Sequence, residues 1–423
     1  MTEFPISDNL RVHIAENSPS KEGRTFSLAD NIVHVGENRL SDMVRPGIRV
    51  TIAFTDATRA CPDEQLVGWL LEKLTTLGVD PAHITLLCAT GLHRLINETE
   101  LLTKLGKRIV GDFCIASHYA LDPAELIDLG EINGLPVVTN RRCVKTDLLL
   151  ATGVVEPHQY AGYSGGAKTV VIGCGGEATI EATHSAAMLD EPGTRLGAIE
   201  GNLFQAFVRQ AGARIGLAYV VNVVLGEQGQ ILAAAAGEPD AVHDYLVERA
   251  RQVYEVLVER PAHLALAGVN QAKAVNLYQA SRAATYLALA DRTPLLPGAP
   301  ILLPASIPEG AGEGTGEQRF YDILSQAESP AQLISELRQT GFPAGGQRAY
   351  ILAQVLAQHP VIVVGAKHPD VVRTCHMHTT PDIESGLALT KELARHQFDL
   401  PIPAPLDFLV VPQALLTLPR LAE

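Results

Sequence analysis

The sequence predicts an α/β protein of two domains, each with a mostly parallel sheet flanked by helices and with the active site in the cleft between them. Short aliphatic runs alternate with amphipathic stretches of helical length, the pattern of βαβ units. The chain has 423 residues, enough for more than one core. Arg260-Pro261 interrupts the alternation and a second α/β series follows, which divides the chain into residues 1–260 and 261–423.

In the first half, the uncharged run up to Phe54 reads as a buried strand from Arg49, followed by a helix from Asp63 to Leu77. Ile84 to Ala89 is a second such strand, with a helix after Asn97. Leu148 to Val155 is a third. Gly216 to Leu225 and Gln230 to Ala235 flank a Gly-Glu-Gln-Gly turn and read as a hairpin. A long amphipathic helix is expected from Pro239 to Val258. In the second half the strands are His263 to Ala267, Pro300 to Pro304, Val361 to Gly365 and Phe408 to Val411, with a helix over Ala274 to Ala290. Glu309 to Gly316 is a glycine-rich loop.

Composition excludes some functions. The formal net charge is −14, which argues against a nucleic-acid binder, because phosphate binding needs a basic surface. A small anion held by two or three local cations remains compatible with it. Every long apolar run is broken by Gly, Pro or charge, so no membrane span is expected. The opening Met-Thr-Glu-Phe-Pro-Ile-Ser-Asp lacks the basic and apolar regions of a signal peptide. The six cysteines are scattered with no CxxC pair, as in a reduced cytoplasmic protein.

The polar clusters share one position. Thr55-Asp-Ala-Thr-Arg59, Thr90-Gly-Leu-His-Arg94 and Glu156-Pro-His158 each follow the carboxyl end of an expected strand, where open α/β sheets bind ligands. Gly268-Val-Asn-Gln and Asn276-Leu-Tyr-Gln-Ala-Ser-Arg282 hold the matching place in the second half, so a cleft between the halves would gather all five. Arg59 carries a planar fork suited to a carboxylate, or makes a surface ion pair with Asp56 or Asp63. His93 follows a Thr-Gly turn and has the chemistry of a general base, or of a loop hydrogen-bonder. His158 and Lys168 flank Ser164-Gly165-Gly166, a turn able to nest a phosphate oxygen, although the spacing is not that of a Walker loop. His184 falls in an expected helix, Ala178 to Met188, as a half-buried packer or as a ligand for a metal such as Ni or Cu. His376-Met-His378 reads as solvated loop chemistry, a metal pair being the alternative. Cys61 and Cys174 lie near these motifs and carry no assigned role.

Taken together, Asp56-Ala-Thr-Arg59, Ala89-Thr-Gly-Leu-His93-Arg94, Pro157-His158, Ala161-Gly-Tyr-Ser-Gly-Gly-Ala-Lys168, His184 and Asn276-Leu-Tyr278-Gln279 resemble, in order and spacing, the nickel-pincer lactate racemase family. The resemblance spans both halves. It implies racemisation or epimerisation of a 2-hydroxyacid by proton-coupled hydride transfer, through a planar 2-keto acid. The implied cofactor is a nickel-pincer nucleotide, pyridinium-3-thioamide-5-thiocarboxylic acid mononucleotide, joined to Lys168 as a thioamide. His184 would complete the nickel coordination, with Asp56, Ser164, Gly165 and Gly166 about the cofactor. His93 and His158 would exchange the hydroxyl proton, and Arg59, Tyr278 and Gln279 would hold the substrate. Separate maturation enzymes would be partners, since the family's cofactor is made elsewhere.

Two departures bear on the substrate. Arg282 stands where the family's lactate enzyme has Lys. Arg adds a bidentate fork, which points to a second carboxylate or a larger side chain, as in malate or 2-hydroxyglutarate. The single Trp, Trp69, belongs to the first expected helix, so no Trp lines the second-domain side of the pocket. Gln347 and Arg348 open an apparent helix and read as a solvated helix start, pocket lining being the alternative. A metal-dependent hydrolase using His93, His158 and His184, and a cofactor-binding protein without turnover, are the rival readings.

Overall fold

The computed structural model describes residues 10–17, 28–343 and 345–422. The N-terminal octapeptide considered above lies outside them.

Two parallel sheets form the two halves. The first has seven strands, in the order Val33–Val35, Ile231–Gly237, Leu217–Leu225, Leu148–Val154, Val50–Thr55, Ile84–Ala89 and Cys114–Ser117. All its pairings are parallel except the hairpin of Leu217–Leu225 with Ile231–Gly237. Val50–Thr55 and Leu148–Val154 are buried along their whole length, which is why they read as unbroken aliphatic runs. The second sheet has six strands, all parallel, in the order Leu10–Ile14, Leu406–Val411, Leu264–Ala267, Ile301–Pro304, Val361–Val364 and His378–Thr380. Among the described residues, no helix is long and apolar enough to cross a membrane.

Four expectations need correction. The first strand of the chain, Leu10–Ile14, pairs with Leu406–Val410 in the second sheet, so the chain does not divide cleanly at residue 260. The helix from Pro239 stops at Tyr254, and Glu255–Val258 is a strand paired in parallel with Leu418–Leu421. Its partner lies at the far end of the chain, which local periodicity does not reveal. The expected helix over 274–290 is two pieces, Leu277–Ala280 and Arg282–Ala288, begun by Asn276, whose side chain accepts the Gln279 N–H. The expected helix over 178–188 breaks likewise into Glu177–Thr183 and Ala186–Asp190, where the Ser185 side chain caps the second piece.

One buried ion pair ties the first sheet to the loops above it. Asp63, fully buried at the start of helix Asp63–Thr76, pairs with Lys104 of helix Glu98–Asp112 at 2.9 Å. The Asp63 carboxylate also accepts the hydroxyls of Thr55 and Thr152, from two neighbouring strands. Lys104 Nζ donates to the carbonyls of Arg59, at 2.7 Å, and Cys61, at 2.9 Å. The loop after Val50–Thr55 is thus pinned by charge on its inner side. Removing the cation alone strands a buried carboxylate, so Lys104→Met should cost about 3–5 kcal/mol of stability by denaturant unfolding. A loss below about 1 kcal/mol would contradict this account.

Candidate active site

The carboxyl ends of three adjacent strands, Leu148–Val154, Val50–Thr55 and Ile84–Ala89, place their loops side by side. Asp56 and His93 meet across two of these loops, with Asp56 Oδ2 2.7 Å from His93 Nδ1. Thr58 Oγ1 donates to the other carboxylate oxygen at 2.8 Å. Burial pushes the Asp56 carboxyl up, but the hydrogen bonds from His93 and Thr58 and the charges of His93 and Arg59 hold it below its ordinary value. An ionised Asp56 fixes the proton of His93 on Nδ1 and leaves the Nε2 lone pair as an acceptor. Asp56 therefore acts on His93, with one hydrogen bond to each carboxylate oxygen. Gly91, at φ 56°, makes the turn that brings His93 round.

Arg59 does not pair with Asp56 or Asp63 as a surface bridge. Its guanidinium lies 3.7 Å from Glu156, on the third loop. A single long contact leaves most of its fork available for an anion.

His158 lies in a two-residue strand, Pro157–His158, paired antiparallel with Gly162–Tyr163. Gly162 is required there, since a Cβ would fall 1.8 Å from the Ala198 carbonyl oxygen. His158 Nδ1 accepts the backbone N–H of Tyr160 at 3.3 Å and of Ala161 at 3.2 Å. These partners assign the proton to Nε2, the opposite arrangement to His93. Burial, then the positive charges of Lys168, Arg59 and Arg282, hold the ring well below its ordinary pKa.

The Ser164-Gly165-Gly166 turn is largely occupied by the fold. Ser164 Oγ donates to the Val154 carbonyl at 2.7 Å, and the Gly166 N–H donates to Asn222 Oδ1 at 2.7 Å. This leaves the turn to shape the chain rather than to nest a phosphate through those two groups. Gly165 has φ 90° and Gly166 φ 55°, so the turn delivers Lys168 to the start of a short helix, Lys168–Val171. Burial, reinforced by Arg59, lowers the half-buried Lys168 amine from 10.5 to about 7.

His184 sits at the break between the two short helices. Its Nδ1 is 2.8 Å from the Ile180 carbonyl, which places the proton there and leaves Nε2 free. Burial lowers its pKa to about 4, so the ring is neutral at pH 7. Tyr160 and Phe204 stand edge-on to it, each with centroids 5.3 Å away, and both also touch the His158 ring, at 5.6 and 6.3 Å. Nothing in the sequence singled out Phe204, and Tyr160 was visible only as part of the motif. His184 forms part of the wall of a hollow of about 480 Å³ with Leu92, Ile180, Phe342 and Gln347, from both halves of the chain.

The second half supplies Tyr278, Gln279 and Arg282. Arg282 lies over the Tyr286 ring, 5.5 Å from its centroid, and donates to its hydroxyl at 3.0 Å. Arg348 corrects the expectation of a solvated helix start: it is 6% exposed and donates to Gln159 Oε1 of the first half at 2.8 Å. Trp69 lies in helix Asp63–Thr76, as expected. His376 takes a left-handed backbone, φ 62°, and bonds to the Leu324 carbonyl, while His378 starts an edge strand. Among the described residues no three His, Cys, Asp or Glu side chains gather as a metal site.

Known proteins resemble this chain over most of its length. Residues 1–197 match the lactate racemase N-terminal domain family and residues 274–404 the lactate racemase C-terminal domain family. The chain belongs to the lactate racemase family. Lactate racemase of Lactiplantibacillus plantarum is 28% identical over 371 residues, 85% of this chain and 84% of that protein. That of Thermoanaerobacterium thermosaccharolyticum is 26% identical over 86% of this chain and 84% of its own length. The solved lactate racemase apoprotein from the latter organism superposes with a TM-score of 0.82, at 24% identity, over 96% of this chain and 99% of the other. A Thermotoga maritima protein shares the fold with a TM-score of 0.66 at 17% identity, over 90% of this chain and 96% of that one. This family member is accordingly an isomerase, a racemase.

Two outcomes follow. Asp56→Asn removes the charge behind His93, and turnover should fall about ten- to a hundredfold with the fold intact by circular dichroism. Unchanged turnover would remove Asp56 from the machinery. In competitive acylation of the unloaded protein, Lys168 should label with half-maximal rate near pH 7, far below a free lysine at 10.5. The depressed value means the unfolded chain binds more protons between those pH values, so raising pH across the window stabilises the fold. Labelling of Lys168 with the profile of a solvent lysine would refute the shift.

Proposed function

We propose that this racemase is nickel-dependent, acts on a 2-hydroxycarboxylate other than lactate, and carries a nickel-pincer nucleotide on Lys168. The observation that carries the reading is the opposite setting of two histidines, His93 with a free Nε2 lone pair and His158 with its proton on Nε2. The residues fit the implied cofactor. Lys168 offers an amine whose pKa of about 7 leaves much of it uncharged near neutral pH, and His184 offers a neutral ring with a free Nε2, oriented by a carbonyl on its other nitrogen. When bound, the nucleotide supplies a site that takes a hydride from carbon and returns it to either face.

The chain's own groups do the rest. Arg59 binds the carboxylate through its free fork, and Tyr278 and Gln279 hold the substrate from the second half. His93 Nε2 accepts the hydroxyl proton, and the positive charge that forms on its ring faces Asp56. This spares the enzyme a carbanion beside a carboxylate, because the C–H bond need not be broken as an acid. His158 donates its Nε2 hydrogen to the substrate oxygen as a hydrogen bond and stays neutral, and the proton that oxygen regains when the other configuration forms returns from the His93 ring. Tyr160 and Phe204, buried beside the His158 and His184 rings, keep water from those two. The cofactor's separate maturation enzymes are the partners this reading requires, and the cytoplasm is where such assembly fits.

Nickel-loaded protein given single enantiomers of lactate, malate, 2-hydroxyglutarate, 2-hydroxybutyrate, phenyllactate and gluconate should generate the opposite configuration at the 2-position from at least one, with a mass increment on Lys168. Turnover should favour a larger or dicarboxylic substrate, and Arg282→Lys should change the ranking. No turnover of any, with nickel and the adduct confirmed, would overturn the reading; an unchanged ranking in Arg282→Lys would remove Arg282 from selectivity.

A further inference from the structure

The cleft holds more positive charge than one carboxylate can neutralise. Arg348 is 6% exposed and Gln159, its partner, 8%. Arg348 makes two further contacts, both uncharged: it donates to the Tyr278 carbonyl at 3.3 Å and lies 5.3 Å from the centre of the Tyr278 ring. Its Nε is buried with no partner, and so is the amide nitrogen of Gln159. Arg282, beside it, has among the described residues the hydroxyl and ring of Tyr286 as its partners. Among the described residues neither guanidinium has a carboxylate within ion-pair distance. Arg348 and Arg282 repel one another, and Lys273 feels both Arg282 and Arg59. Glu156, the carboxylate acting on this group, already lies against Arg59.

A buried guanidinium without a counter-charge is unfavourable in a folded chain unless a ligand supplies one. Two unspent donors beside it, Arg348 Nε and Gln159 Nε2, are what a carboxylate or phosphate accepts from. We propose that Arg348, Gln159 and Arg282 form a second anion seat, and that the substrate is a 2-hydroxy dicarboxylate whose distal carboxylate occupies it. The proposal rests on the racemase reading for its first carboxylate, held by Arg59, and adds the seat that selects the other end. Gln159 directly follows His158, so an anion seated there lies next to the proton-transfer loop.

The same donors could take the phosphate of a bound nucleotide, so the test separates the two sources. Titration calorimetry of the unloaded protein should give succinate at least tenfold tighter binding than butyrate. Gln159→Glu places a carboxylate against Arg348 and should abolish that preference while keeping the thermal midpoint. Arg348→Lys, which keeps the charge and loses the fork, should weaken it about tenfold. Protein carrying the adduct on Lys168 should still prefer succinate. Equal binding of succinate and butyrate would overturn the seat. Loss of the succinate preference on loading, with butyrate still bound, would overturn it in favour of the nucleotide phosphate. A retained succinate preference in an enzyme that racemises nothing would leave the seat standing and remove the racemase reading alone.

Discussion

The buried contact of Asp63 with Lys104 is the constraint on which the site depends. Asp63 gathers hydroxyls from two strands, and Lys104 spends its remaining hydrogens on carbonyls of the loop that carries Asp56 and Arg59. Loops above parallel strands are ordinarily the least fixed part of an α/β fold. Here one of them is held from beneath by a charge pair, so Asp56 reaches His93 and Arg59 reaches Glu156 from a rigid base. Neither contact survives if that loop drifts by an ångström or two.

Above this base the governing quantity is local charge. The chain is strongly acidic overall, yet Arg59, Lys168, Lys273, Arg282 and Arg348 cluster in the cleft. Burial lowers the proton affinity of Lys168 and His158, and nearby positive charge adds to it, from Arg59 at Lys168 and from Lys168, Arg59 and Arg282 at His158. One arrangement thus leaves an amine partly uncharged near neutral pH, keeps an imidazole uncharged and draws anions in. The link between the halves has the same character. Asp190 of the first half accepts from Arg338 at 2.7 Å, Tyr350 at 2.6 Å and Gln354 at 2.8 Å of the second.

The strands and the residues after them were legible because buried parallel strands leave aliphatic runs, and ligand-binding loops follow their carboxyl ends. Ile84–Ala89 was placed to the residue for that reason. What the sequence hid was pairing at a distance. Asp63 read as a helix start because its cation lies 41 residues away on another helix. Arg348 read as solvated because a charge at a helix start usually is, and only the packing of one half on the other buries it against Gln159. His184 was found by its motif but placed mid-helix. A serine cap at the next residue, which accepts the Met188 N–H, ends that helix and turns the ring outward into the hollow.

The unequal support of the two histidines has a kinetic consequence. One is backed by a carboxylate, the other by two peptide N–H groups, so the two rings are not equivalent. For a substrate with one stereocentre, the two enantiomers have equal free energy in water, and kcat/KM must be the same in both directions. The asymmetry can appear only as paired changes. The enantiomer that is bound more tightly must turn over more slowly by the same factor.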